Sequence, residues 1–231
     1  MKLILTFCLA CFVLCANAQE IKGKIENHPN SQMELVLILF GMENPISIGT
    51  VDKKGQFTAN LDNISLDDIT AENKSMSIVE LYFNFYFKCN DKRAFGENFD
   101  KPAASQDYVR LTKKGDWAGT VFLVSDEGLR PWLEDSGYNN AIEGSFYEVM
   151  YVEEDFDVKM TCKSSVNADE NTEVETEYSF DIELKTGFNW VEYTIHEVYE
   201  TDPDIRASFP SKVTVSNLKD PSKMGWIGTY Y

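Results

Sequence analysis

The chain has 231 residues and a formal net charge of −17, with 38 Asp and Glu against 21 Lys and Arg. Its 15 Phe, 11 Tyr and 4 Trp exclude a disordered acidic tail. The acidic balance excludes a general nucleic-acid binder, because phosphate would be repelled over much of the surface.

The first eighteen residues read MKLILTFCLACFVLCANA. Lys2, the apolar run Leu3–Leu14 and Ala16-Asn17-Ala18 form the three regions of a secretory signal peptide, cleaved before Gln19. The run is shorter than the roughly 20 residues a membrane-spanning helix needs, and no later segment qualifies. Lipid anchoring is disfavoured, because Leu14 precedes Cys15 where a small residue is wanted and Cys11 comes very early. The expected product is exported, periplasmic or extracellular, and keeps two cysteines, Cys89 and Cys162. Disulfides persist in such a compartment, so these two either pair or remain as separate buried thiols.

Strand patterning begins at once. The segment Ile21-Lys22-Gly23-Lys24-Ile25, the apolar run Met33–Phe40, then Ile46–Val51 and Gly55-Gln56-Phe57-Thr58 form a short series. It resembles the opening of carboxypeptidase-regulatory-like, transthyretin-like β-sandwich modules, which occur at the N-termini of many secreted and envelope proteins. The likeness covers about 40 residues. It implies a non-catalytic β-sandwich accessory module and carries over no functional residue.

Further along, Val79, Leu81, Phe83, Phe85, Phe87 and Cys89 alternate with polar residues, the mark of a half-buried strand. Trp117–Val124 and Phe146–Val152 read as central strands. Between them, Pro131 suits the first turn of a short helix near 131–136, with Trp132 and Leu133 to bury and Gly137 to stop it. Phe156, Val158, Met160 and Cys162 alternate with Asp157, Lys159 and Thr161. Val174–Val198 reads as a hairpin about Thr186-Gly187. A two-residue loop would set Ile182 opposite Val191, Phe180 opposite Tyr193, Tyr178 opposite Ile195 and Glu177 opposite His196. Glycine-marked turns recur at Lys53-Lys54-Gly55, Lys113-Lys114-Gly115 and Lys185-Thr186-Gly187, where a tight turn needs positive φ. At the C-terminus, Thr229, Ile227 and Gly225 make a poor lipid-facing stripe, so an outer-membrane barrel is not expected.

These elements predict an all-β, antiparallel β-sandwich protein with one short helix. Two packed sandwiches are expected, residues 19–126 and an acidic 127–231; one large sandwich over 19–231 is the alternative.

Chemistry is sparse. The two histidines, His28 and His196, are far apart, and no metalloprotease, serine-hydrolase, P-loop or dinucleotide motif is present. The expected function is therefore a secreted, non-enzymatic binding or accessory module. A calcium-dependent or carbohydrate-binding module is the alternative. Weak calcium candidates are Glu153, Glu154, Asp155, Asp157, Asp202 and Asp204, in oxygen-rich loops that do not follow the EF-hand pattern. Trp190 is the weak ligand candidate, because the hairpin register places it on the outer face opposite Glu183. A carboxylate-dependent hydrolase ranks last, since any acidic pair is uninformative in so acidic a chain. The stretch 134–204 holds 20 acids and 3 bases, so a cationic, protein or glycan partner would meet the chain there.

Overall fold

A computed structural model describes residues 20–38, 45–61, 87, 101–106, 108–202, 204 and 207–231. The expected signal peptide, Cys89 and the expected strand around it, apart from Phe87, lie outside these residues. The chain is all-β, as expected. Its strands are β1 (Glu20–Glu26), β2 (Met33–Leu37), β3 (Ile46–Val51), β4 (Gln56–Asn60), β5 (Ala103–Gln106), β6 (Tyr108–Lys113) and β7 (Asp116–Val124). They continue as β8 (Gly144–Val152), β9 (Phe156–Asn167), β10 (Glu173–Leu184), β11 (Gly187–Tyr199), β12 (Phe209–Asn217) and β13 (Gly225–Tyr230). The short helix α1 is Arg130–Glu134, with Pro131 in its first turn and Trp132 buried, and it stops at Asp135 rather than at Gly137.

The sequence points to sandwich packing, but the described strands form one 13-stranded sheet. In the order β13-β1-β4-β3-β2-β6-β7, seven of them close on themselves, because β13 pairs parallel to β1 and antiparallel to β7. A closed ring leaves no free edge. The strand that closes it comes from the C-terminal end of the sequence. Alternation fills the barrel: Ile21 and Ile25, Leu35 and Leu37, Ile46 and Ile48, Leu111, and Val121 with Leu123 all face one core. Trp226 packs there on Phe57 at 4.2 Å and on Trp190 at 6.2 Å between ring centroids. β2 is buried on both faces from Leu35 to Leu37, while Glu34 is exposed.

At the C-terminal end of β7, Val124 pairs with Phe146, and the same sheet continues beyond the ring in the order β8-β11-β12-β10-β9, an open part called the second sheet below. The alternate residues of β7 and β8 then serve a second core. Phe122, Val124, Phe146, Met150 and Val152 join Phe156, Tyr178, Phe180, Tyr193, Val213 and Val215, with Trp132 and Phe87 packed on them. This is why β8 is buried along almost its whole length: Tyr147 and Val149 face the barrel core, and their neighbours face the other.

The expected hairpin of β10 and β11 is not formed. β12 lies between them, parallel to β10 and antiparallel to β11. The apolar register nonetheless survives at one remove. Phe180 and Tyr193 both pair with Val215, and Tyr178 and Ile195 both pair with Val213. Side chains hold the two strands apart. Asn217 accepts from the Glu183 N–H and donates to the Glu183 carbonyl, both at 2.7 Å, capping β10 beside the turn. Lys212 stands 3.7 Å from both Glu177 and Glu197, which would otherwise be like charges facing one another.

Candidate functional site

Pairing order decides which turns meet. β2 runs antiparallel to both β3 and β6, so the β3–β4 and β6–β7 turns lie at the same end of the barrel, with the β1–β2 loop. The C-terminus reaches this end too, where the Tyr231 N–H donates to the Ala118 carbonyl at 3.2 Å. β2 and β4 end at the opposite end of the barrel.

Each turn carries two lysines. In the first, the Asp52 carboxylate accepts from the Lys54 and Gln56 N–H groups at 2.7 and 2.9 Å, and Gly55 takes φ +83°. This holds Lys53 and Lys54 outward. In the second, Lys113 pairs with Asp116, leaving a two-residue loop of Lys114 (φ +56°) and Gly115 (φ +90°). Positive φ at both central positions is the type I′ geometry, which favours Asn or Gly at the first of them. Lys114 holds that strained place with its side chain in solvent.

A cleft of about 940 Å³ opens on the outer side of β1, β4 and β3, lined by Lys22, Lys24, Lys53, Lys54 and by Thr50 and Thr58 among others. Lys22 and Lys24 pair with Glu20 and Glu26 of their own strand at 2.5 and 3.6 Å. Lys53, Lys54, Lys113 and Lys114 make no ion pair among the described residues. Across the barrel from β4, on β6 and β7, Trp117 is 49 % exposed and carries the Arg110 guanidinium 5.1 Å from its ring centroid.

The residues singled out from sequence lie elsewhere. Trp190 is 6 % exposed and faces the barrel core, not solvent, so the outer-face placement is corrected. The alternation holds along the strand, but at the start of β11 the second face meets Trp226. Asp155 braces the β10–β11 turn. Its carboxylate accepts from the Thr186 N–H at 3.0 Å and pairs with Lys185 at 3.3 Å. These two contacts, the Thr186 N–H first, lower its pKa below the ordinary 3.8. Asp202 accepts from the Asp204 N–H, an ordinary turn. Among the described residues, no three His, Cys, Asp or Glu side chains come together to hold a metal ion.

Other reactive groups are engaged structurally. His28 accepts at Nδ1 from the Tyr230 hydroxyl (3.0 Å) and donates from Nε2 to the Ser31 carbonyl (2.6 Å), which fixes its tautomer. His196 bonds Thr214 at 2.9 Å. Cys162 is disulfide-bonded. The buried Glu148 carboxylate accepts from the Tyr193 hydroxyl at 2.8 Å inside the second core. On the outer face of the second sheet, Lys159 pairs with Asp181 and Lys163 with Glu175, so much of the acidity there meets a cation.

Comparison with protein-family models, with the curated proteins and with the solved structures found no match in any of the three. No helix among the described residues is long and apolar enough to cross a membrane.

Proposed function

We propose that the chain is an exported, non-enzymatic binding protein that takes its partner at the turn end of the barrel. One observation carries this reading. The lysines of the second sheet are paired with carboxylates, whereas the four turn lysines at this end of the barrel, in a chain with 38 acids, make no ion pair among the described residues, and Lys53 and Lys54 border an open cleft. Unpaired cations and an exposed tryptophan are groups that a partner can still satisfy. The engaged state of His28, His196 and Cys162 supports a binding role over a catalytic one. The second sheet we read as one layer of a sandwich, since Phe87, 1 % exposed, packs over Tyr178 and Tyr193.

A thermal-shift panel of Ca²⁺, EDTA and soluble glycans, with product analysis of each glycan, tests the reading. The expected result is a raised Tm with at least one glycan and none with Ca²⁺, since bound ligand stabilises the folded state by mass action. Turnover of any glycan overturns it, and so does a Tm rise with Ca²⁺ that EDTA reverses.

A further inference from the structure

We propose that the turn end of the barrel binds an anionic polysaccharide, a sugar polymer bearing carboxylate or sulfate groups. The inference rests on the binding reading above and names its ligand. Two Lys-Lys-Gly turns, 60 residues apart in sequence, are brought to one barrel end by the strand order β4-β3-β2-β6-β7. All four of their lysines are exposed. Their cations suit anionic groups spaced along a chain. Thr50, Thr58, Gln32 and Gln56 line the cleft and offer the hydroxyl and amide partners that sugar hydroxyls need. Trp117 offers an apolar ring face, already flanked by Arg110.

The position of Lys114 adds an independent argument. A lysine in the left-handed region of a type I′ turn is a poor choice for the turn itself, where Asn or Gly fits better. A charge placed at a strained position is what a ligand contact would explain. The hydroxyl and amide groups of the cleft are what favour a sugar over nucleic acid. The 134–204 stretch, with 20 acids against 3 bases, repels any polyanion that extends past the barrel, so the contact is confined to the turn end.

The test is a binding titration of the exported chain with alginate, a uronate polymer, at rising salt. Dextran, duplex DNA and phosphatidylglycerol vesicles serve as comparison probes. Alginate should bind, and binding should weaken as salt rises, since exposed charges are screened. K53Q/K54Q/K113Q/K114Q should bind about tenfold more weakly, the effect of several surface charge contacts together. Lys159→Gln on the second sheet should bind as the parent does. Lys114→Asn separates the turn from the charge: Tm should rise while alginate affinity falls. Equal alginate binding by the parent and the quadruple variant overturns the proposal. So does preference for DNA or for vesicles over alginate. Binding of dextran with equal affinity overturns the anionic ligand while leaving a binding protein, and binding of none of the four probes overturns the polysaccharide assignment alone.

Discussion

At the residue scale, a few side chains hold the barrel shut. Trp226 is 3 % exposed and touches both Phe57 and Trp190, so it links the first hairpin of the barrel to the second sheet. Trp226→Ala should cost about 3–5 kcal/mol in urea unfolding, from lost burial plus the cavity left behind. An effect below 1 kcal/mol would show that the closing strand is not packed as described. Asp155 makes a pH prediction. Its folded pKa is lowered by the Thr186 N–H and by Lys185, so its contribution to stability is present above the unfolded value of about 3.8. That contribution is lost as pH falls through the folded pKa. Asp155→Asn should therefore lower Tm at neutral pH and leave it nearly unchanged at acid pH. Equal losses at both would contradict the charge-based account. Trp190 shows what single-residue reading misses. Its alternation is legible, but the partner that buries it, Trp226, lies 36 residues on and is joined to it only by tertiary packing.

At the element scale, most strands are legible because one buried face imposes a period of two. β8 and β7 read as central for the right reason, since both faces are apolar over most of their length. The β10–β11 hairpin reads clearly from sequence and is still not what forms. Its apolar set is shared by a third strand, and pattern alone cannot tell direct pairing from pairing through an inserted neighbour. The short-range signal was a turn; the deciding interactions, Asn217 to Glu183 and Lys212 between Glu177 and Glu197, are long-range. Asn217→Ala should destabilise by about 1–2 kcal/mol through the loss of two backbone-directed hydrogen bonds. Cross-strand NOEs should link Phe180 to Val215 and Tyr193 to Val215. Direct backbone NOEs between Phe180 and Tyr193 would restore the simple hairpin and refute the insertion.

At the scale of the whole molecule, two cores share one wall, and the chain crosses between them more than once. A cross-link here has a large effect, because it removes freedom from a long unfolded loop. Cys162 is bonded, and if the expected signal peptide is cleaved, Cys89 is the one other cysteine left in the sequence to pair with it. Denatured protein should show no alkylatable thiol without reductant and two with it, and Cys162→Ser should cost about 2–5 kcal/mol. Two free thiols before reduction would contradict the pairing. Charge is also organised at this scale. The sequence shows the acidity of 134–204 and the repeated Lys-Lys-Gly turns, but not that two of those turns share one end of the barrel, because that depends on strand order. Amide chemical-shift mapping tests that arrangement as a binding site most directly. With alginate added, perturbations should concentrate at residues 52–56 and 113–117, on the turn end of the barrel. Perturbations centred instead on residues 173–197 of the second sheet would contradict the account.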